Sequence, residues 1–505
     1  MSHAHIQDEP TTGQFQAVAD TAARSALELE PERPTTKHIV AVISVLVVSA
    51  LIMILNETVL TVALPNLMAD FSITAATAQW LTTGFMLTMA VVIPTTGWML
   101  QRFTTKGLFT AALLLFVIGT AMAAFAPSFA VVLLGRIVQA GGTAIILPLL
   151  MTTTLTYVPP AHRGTIMGLN SVVISVAPAI GPTVSGMIVN ALNWRWVFGL
   201  MLPVGVLVLL LGLVLIKTTG ETRKVPLDAF SVLLSVFAFG GIVYGLGSIS
   251  ALFQGSFIPV VALAIGVVAL VLFTVRQVRL QRSADAALLD LRPFGVHNFR
   301  MSVIIVMIAM ATMLGTVMVL PIFLQTGMGI NVLTVGLIML PGGLIQGILS
   351  PIVGRVYDKV GPRPVVIPGA ILLAGGQWLL ATIDENSTVT TIIVLHVIFC
   401  IGMALLMTPL MTVALGALPQ NLYGHGSAIM NTLQQLSGAA GTAVLVAAMT
   451  LGAVAASSSG ASEALAQVDG AQTAFTVGGV LGLVAVVCAP FVKKLPRVPV
   501  RVTVD

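Results

Sequence analysis

Two short stretches, GWMLQRFTTK at residues 97–106 and GRVYDKVGPR at residues 354–363, are weak copies of one another. Both begin with glycine and carry basic residues at the sixth and tenth places. A second pair, GTIMGLNS at 164–171 and GSAIMNTL at 426–433, is separated by a similar length of chain. Paired copies in this order indicate that the sequence consists of two related halves.

The composition indicates that these halves lie in a lipid bilayer. Of the 505 residues, 57% are hydrophobic and 8% are charged, whereas an ordinary soluble domain has about 25% charged residues. Apolar runs long enough to span a membrane recur along the chain. We therefore predict an all-α polytopic membrane protein with fourteen spans, at residues 38–64, 76–100, 107–126, 129–155, 164–190, 195–216, 229–250, 256–276, 301–325, 332–353, 364–383, 390–416, 427–452 and 473–492.

The placement of charge supports this number of spans. If both termini are cytoplasmic, all 23 Lys and Arg residues except Arg136 and Arg195 lie in the tails and cytoplasmic loops. The opposite loops carry acids instead: Asp70, Asp384, Glu385, Glu463 and Asp469. Such a bias predicts an even number of spans in the cell membrane with both termini on the cytoplasmic side. The net charge of +5 thus reflects topology and not nucleic-acid binding.

The repeat and the span count divide the chain into five parts. We predict a disordered cytoplasmic tail, a six-helix half, a linker with two extra transmembrane helices, a second six-helix half and a cytoplasmic C-terminal tail. Their boundaries are 1–36, 37–216, 217–299, 300–492 and 493–505. Two six-helix halves are typical of secondary transporters.

Four motifs resemble one family of such transporters. LNETVLTVALP (55–65) resembles its first-helix motif, GRIVQAGG (135–142) its fourth-helix motif, APAIGPTVSG (177–186) its fifth-helix motif and NWRWVFGLMLPVG (193–205) its sixth-helix run. On these motifs the chain resembles the major facilitator superfamily, and within it the fourteen-helix drug/proton antiporters of the EmrB and QacA type. The LNET variant is similar to the lincomycin-resistance subgroup.

The resemblance implies a proton-coupled antiporter that exports amphipathic small molecules, including drugs and antibiotics, by alternating access. The alternative on the same scaffold is an exporter of a native metabolite, lipid or amino acid; a channel or an intramembrane enzyme is less favoured. The sequence has no Walker motif, which argues against a nucleotide-driven pump. We predict no enzymatic activity, no cofactor and no metal site; the expected partners are the substrate, protons and the bilayer.

Glu57 is the only acid within a predicted span. It lies six residues from the centre of the first span at Leu51, or about 9 Å toward the outer leaflet. Because hydrocarbon disfavours a charged carboxylate, Glu57 is predicted to exchange a proton as its surroundings change. The alternative is a structural acid held by hydrogen bonds from Asn56, Thr58 or another helix.

Arg136 is the only Lys or Arg away from the ends of a predicted span, with Gln139 one turn away on the same face. Arginine stays protonated in proteins and therefore supplies a fixed positive charge. We predict that Arg136 takes part in proton coupling with Glu57. A structural role, in which Arg136 satisfies backbone carbonyls, remains open from the sequence.

Uncharged polar residues within the spans are candidates for lining the substrate cavity, because such groups usually face protein or water. The candidates are Asn56, Thr61, Gln139, Asn431, Gln434 and Gln435. The alternative is that they join helices by hydrogen bonds. His396 is the next candidate for a proton site, although a lone histidine is more often a packed core residue.

Two segments are predicted to control the conformational change. The fifth span combines a small-residue stripe, from Gly164 to Ala179, with prolines that weaken its hydrogen-bond ladder. The loop after the tenth span retains the acid of the family motif, whereas Gln101 replaces it in the first half. We therefore expect closure to depend on the second copy. The gating candidates are Pro178, Gly181, Pro182, Gly186, Gly354, Asp358, Gly361 and Arg363.

Overall fold

The structure is a computed structural model, and it describes residues 36–216, 225–249, 252, 255–283 and 287–495. All secondary structure in these residues is helical. The predicted N-terminal tail, apart from its last residue, and residues 496–505 of the predicted C-terminal tail lie outside the described part.

The first half contains six helical segments: α1 (Thr36–Phe71), α2 (Ala75–Arg102), α3 (Thr105–Ala124), α4 (Phe129–Tyr157), α5 (Arg163–Ala191) and α6 (Arg195–Gly199 and Met201–Leu215). Hydroxyl side chains begin two of them. Thr74 Oγ1 accepts the backbone N–H of Thr77, and Thr104 Oγ1 accepts that of Gly107. These bonds satisfy N–H groups that have no partner within the first turn of a helix.

The linker contributes two helices, α7 and α8. Segment α7 comprises Ala229–Ser235, a π-helical stretch Val236–Gly240 and Gly241–Gly247, and α8 is Ile258–Ser283. Helix α7 packs beside α2 and α13, and α8 packs against α7. Arg276 of α8 donates two hydrogen bonds to Asp228, at 2.7 and 2.9 Å, and these bonds hold the pKa of that carboxyl at about 2. The Arg276–Asp228 ion pair thus ties the beginning of α7 to α8.

The second half repeats the six-helix arrangement: α9 (His297–Ile322, continued by the π-helical stretch Phe323–Gly327), α10 (Val332–Val360), α11 (Arg363–Leu380), α12 (Val389–Gly416), α13 (Tyr423–Ser458) and α14 (Glu463–Cys488). Among the described residues, thirteen helical segments are long and apolar enough to cross a membrane. The 29-residue helix α5 completes the predicted fourteen. The predicted all-α membrane fold is confirmed.

The halves meet mainly along two helix pairs. Helix α5 packs against α10, and α13 packs against α2. Gly164 faces Gly354 and Gly168 faces Ser350 so closely that a Cβ at either Gly354 or Gly168 would strike the opposing backbone. Small residues at such positions let helix backbones approach one another. The predicted stripe on α5 therefore forms the main contact between the halves.

These contacts are concentrated at one end of the molecule, which we name the basic end. It comprises the connections after α2, α4, α10 and α12, at residues 103–104, 158–162, 361–362 and 417–422. Among the described residues, every hydrogen bond between the halves lies between this end and the middle of the helices. The structure is therefore closed at the basic end.

Candidate functional site

The guanidinium of Arg136 lies at the centre of a buried network in the first half. Arg136 is 1% exposed, and its Nη1 donates to Asn56 Oδ1 at 2.8 Å and to Gln139 Oε1 at 3.1 Å. Its Cζ lies 4.1 Å from the centroid of the Phe85 ring. Gln139 in turn donates to Thr120 Oγ1 at 2.8 Å. The network therefore joins α1, α2, α3 and α4 through one fixed charge.

Glu57 follows Asn56 on α1 and is partly exposed. Its carboxylate interacts electrostatically with Arg136, but the pair is not among the direct ion pairs of the described residues. Of the neighbours predicted as structural partners, Asn56 uses its oxygen and Thr58 its hydroxyl in other hydrogen bonds, whereas the Asn56 Nδ2 is buried with no partner among the described residues. Asn56 accepts from Arg136, and the Thr58 hydroxyl donates to the carbonyl of Leu55 at 3.0 Å. The geometry thus leaves Glu57 partly exposed and within the field of Arg136.

A cavity lies between the halves, about 480 Å³ in volume including the part open to solvent. Its wall is dominated by methionine: Met151, Met167, Met310, Met313, Met407 and Met411. Ile174 and four uncharged polar residues complete it: Asn170, Ser171, Gln346 and Gln434. The eleven described lining residues include no charged and no aromatic side chain.

Of the residues of the second half that were predicted to line the substrate cavity, only Gln434 does so in this structure. Gln434 lines the cavity, and its Nε2 lies 3.3 Å from Met411 Sδ. Asn431 donates instead to the carbonyl of Ser427 at 2.8 Å and approaches Met151 Sδ at 3.7 Å. Neither Asn431 nor Gln435 is among the lining residues.

The first-half candidates differ from the expectation as well. Asn56 and Gln139 belong to the Arg136 network and do not line the cavity described here. They are directed toward Arg136 because a buried guanidinium requires acceptors. The side chain of Thr61 lies outside the described part of the chain.

Asn170 was missed by the sequence analysis, and none of the six methionines was singled out there. Asn170 is 2% exposed on α5, and its Nδ2 donates to Thr154 Oγ1 at 3.1 Å. Its position in the GTIMGLNS copy was visible, but the direction of its side chain was not. Methionines are frequent in this chain, 23 in all, so their number alone does not reveal which of them converge.

Asp358 joins the two halves at the basic end. It lies in the last turns of α10 and accepts three hydrogen bonds from the beginning of α5. They come from the N–H of Gly164 at 2.9 Å, the N–H of Thr165 at 2.9 Å and the hydroxyl of Thr165 at 2.8 Å. The first N–H groups of a helix lack partners within it and carry partial positive charge, so a carboxylate is favoured there.

The remaining predicted gating residues lie in different places. Gly361 ends α10 with φ of +89°, a conformation that favours glycine, and Arg363 Nε donates to the carbonyl of Val492 at 3.2 Å. Gly181 faces Thr58 of α1, within the first half, and a Cβ at Gly186 would meet nothing within 4 Å. The side chains of Pro178 and Pro182 lie outside the described residues.

Comparison with known proteins identifies the family. The sequence profile of the Major Facilitator Superfamily matches residues 46–257 and 228–442. The chain belongs to the major facilitator superfamily. Among relatives in this superfamily, the lincomycin resistance protein LmrB of Bacillus subtilis is 40% identical over 409 residues, covering 81% of this chain and 85% of that protein. The uncharacterised transporter YcnB of B. subtilis is 37% identical, covering 92% and 97%.

More distant superfamily members agree with this placement. The multidrug export protein EmrB of Haemophilus influenzae is 27% identical over 395 residues, covering 77% of this chain and 76% of that protein. The crystal structure of the human organic anion transporter MFSD10 has a TM-score of 0.64, covers 89% of this chain and 99% of that one, and is 14% identical. This last similarity concerns the fold alone. The predicted resemblance to the drug-antiporter branch of the superfamily is confirmed.

Gln101, which stands where the superfamily loop motif has an acid, contacts the second half. The terminal amide of Gln101, on α2, lies 2.8 Å from His425 Nε2, on α13. The N–H of Asp290, in the linker, donates to His425 Nδ1 at 3.2 Å. Since a neutral imidazole has a single N–H and Nδ1 accepts from Asp290, the proton is assigned to Nε2. The Gln101 amide is accordingly assigned with its oxygen, rather than its nitrogen, toward Nε2, so that it accepts this N–H. The expectation that Gln101 makes no closing contact was therefore wrong.

His396 occupies none of these sites. It is 4% exposed on α12, with Nε2 3.6 Å from Cys400 Sγ one turn later. A Cβ added to Gly342 would meet its ring at 2.5 Å. The residue is packed within the second half, and its Nδ1 is buried with no hydrogen-bond partner among the described residues.

Proposed function

We propose that this chain is a proton-coupled antiporter that exports amphipathic small organic molecules by alternating access. The observation that carries the proposal is the cavity between two halves that are joined only from the basic end to the middle of the described helices. Access to that cavity changes sides when the contacts at the basic end break and the opposite ends approach. The names of two relatives, a lincomycin resistance protein and a multidrug export protein, support drug efflux.

Glu57 is the proton carrier in this proposal. It is the single acid within the predicted spans, it is partly exposed and it lies in the field of a guanidinium that is fixed by Asn56 and Gln139. A change in hydration of Glu57 alters the free energy of its charged form. Alternating access provides that change, because it opens the space between the halves to one aqueous side at a time.

The basic end faces the cytoplasm of the cell membrane in this proposal. Arg102, Arg163, Arg355, Lys359 and Arg363 lie at or beside it, and lysine and arginine are concentrated in cytoplasmic loops. The structure therefore corresponds to a state that is closed toward the cytoplasm. Both termini lie on the cytoplasmic side.

Dye uptake into inverted membrane vesicles tests the proposal. Vesicles that contain the protein are expected to accumulate an amphipathic fluorescent dye when their lumen is acidified, and to release it when an ionophore collapses the gradient. Vesicles with Glu57→Gln at equal expression are the control and are expected to show no gradient-dependent uptake. Equal uptake with and without the gradient would rule out proton coupling.

A further inference from the structure

The chemistry of the cavity wall restricts what the proposed exporter carries. We infer that the transported molecule is uncharged while it occupies the cavity, with a polarisable face against the methionines and one hydrogen-bond donor directed to Asn170. The inference rests on the proposed function and specifies its substrate class. It follows from three properties of the wall: its charge, its thioether content and one unsatisfied oxygen.

The wall offers no partner for an ionic substrate. Its eleven described residues contain no Asp, Glu, Lys, Arg or His, and no aromatic ring whose face could bind a cation. A charge moved from water to such a site loses hydration without a compensating ion pair. Glu57 and Arg136 are not among the lining residues. Cations and anions are thus both disfavoured, and neutral molecules are selected.

The six methionines define the apolar part of the substrate. Thioethers are polarisable and unbranched, so they adapt their shape and make favourable contacts with aromatic rings. Three of them have amide neighbours: Met411 Sδ lies 3.3 Å from the Gln434 amide, Met167 Sδ lies 3.7 Å from the Asn170 amide and Met151 Sδ lies 3.7 Å from the Asn431 amide. A wall of leucine would bury the same area without this polarisability. The expected substrate therefore presents an aromatic, halogenated or sulfur-containing face.

Asn170 supplies the polar recognition. Its Nδ2 is engaged by Thr154 Oγ1 at 3.1 Å, whereas its Oδ1 is buried and has no partner among the described residues. A buried acceptor without a partner is destabilising until a donor reaches it. An N–H or O–H of the substrate is the donor that this cavity admits. Asn170 is therefore the specificity-determining residue.

Two probes that share a dansyl group, one neutral and one cationic, test the inference. The full-length protein in proteoliposomes is given a neutral aromatic dansyl amide or its trimethylammonium analogue, with a proton gradient imposed and the membrane potential clamped. Wild-type protein is expected to transport the neutral probe at least about tenfold faster, because the cation lacks a counter-charge in the cavity. Faster transport of the cation by wild-type protein would overturn the inference.

Moving a carboxylate into the wall is expected to invert this preference. Asn170→Asp should raise the cation-to-neutral rate ratio by roughly tenfold, since it adds the missing counter-charge. Gln346→Glu places the same charge at a second lining position, in case Asn170→Asp fails to fold. Asn386→Asp, in an exposed loop, is the matched control and should leave the ratio unchanged. An unchanged ratio in a folded Asn170→Asp or Gln346→Glu protein contradicts the inference.

Isosteric changes test the thioether contribution. Met407→Leu and Met411→Leu should reduce the preference for an aromatic dansyl amide over a saturated amide of similar volume by several-fold, because leucine packs but is less polarisable. Met318→Leu, at a residue that is 47% exposed on the outer surface of α9, is the matched control. Equal preferences in all three variants would show that Met407 and Met411 do not determine specificity.

Equilibrium binding separates failure of the inference from failure of the proposed function. If wild-type protein transports neither probe under a proton gradient, the proposed export function is wrong. Fluorescence titration of the purified protein with the same two probes then decides the inference independently. Saturable binding of the neutral probe with no binding of the cation supports it, and the reverse order contradicts it.

Discussion

Gln101 of the first half and His425 of the second half are hydrogen-bonded across the interface between the halves, with 2.8 Å between the Gln101 amide and His425 Nε2. The same imidazole accepts the backbone N–H of Asp290 from the linker. One side chain therefore connects both halves and the linker at the basic end. The Gln101–His425 contact joins α2 to α13, whereas the Asp358 contact joins α10 to α5. Both contacts close the basic end.

The Gln101–His425 contact is expected to stabilise the closed state. Gln101→Ala and His425→Ala should each widen the basic end, and the double variant should show a coupling of about 1 kcal/mol, typical of a hydrogen bond. Pulsed electron spin resonance between labels at Phe103 and Gln420 measures the distance between the halves. Asn386→Ala, at the opposite end, should leave the distance distribution unchanged. Strictly additive effects would show that the two side chains act separately.

Asp358→Asn is expected to slow transport sharply. The carboxylate accepts two backbone N–H groups and one hydroxyl from α5, whereas an amide has one acceptor oxygen and no charge. A lost charge-assisted bond of about 1.5–3 kcal/mol shifts the balance between open and closed states by roughly ten- to 150-fold. Transport rates in proteoliposomes measure the effect. Asp384→Asn, in an exposed connection, is the control, and equal small effects would refute the role of Asp358.

Gly354→Ala is expected to prevent closure of the basic end. A methyl group at this position would collide with the backbone of Gly164, so α5 and α10 could not keep their present separation. A cysteine at the cavity residue Ser171 should then react faster with a thiol reagent from the cytoplasmic side. Gly375→Ala is the control, because a Cβ there meets nothing within 4 Å and alanine favours helix by about 1 kcal/mol. Unchanged labelling in Gly354→Ala would contradict the assignment of this contact.

Glu57→Gln is expected to abolish proton-driven export while leaving insertion and binding intact. The substitution keeps size and hydrogen-bonding capacity, and removal of an intramembrane charge saves roughly 2.5–3.5 kcal/mol on insertion scales. Counterflow of the neutral dansyl amide, which needs no gradient, should persist. Glu57→Asp should retain partial activity with a shifted pH optimum. Wild-type pumping by Glu57→Gln would place the proton site elsewhere, and His396 would be tested next.

The orientation is expected to follow the charge bias. Cysteines at Asn386 and Ser462, in connections at the end opposite the basic end, should react with an impermeant thiol reagent added to intact cells. Cysteines at Ala161 and Gln420, at the basic end, should react only after permeabilisation. Thr222 and Ala286, which the sequence also places inside, lie outside the described residues. The opposite labelling pattern would reverse the proposed direction of transport.

The sequence by itself determined the class of fold and the number of helices. Membrane spans are visible in sequence because hydrocarbon requires a long apolar run with its backbone hydrogen bonds satisfied within the helix, and this requirement is local. The paired loop copies at 97–106 and 354–363 revealed the two halves for the same reason, since each copy is a contiguous stretch. The small residues Gly164 and Gly168 likewise predicted a close helix contact on α5.

Only the tertiary structure decided which side chains share a site. Asn56 and Gln139 were predicted to line the cavity, yet they surround Arg136, because a buried guanidinium draws acceptors from neighbouring helices. Gln101 finds its partner, His425, more than three hundred residues later. The methionine wall draws on both halves. Such sites depend on the rotation and packing of whole helices, and no single stretch of sequence contains that information.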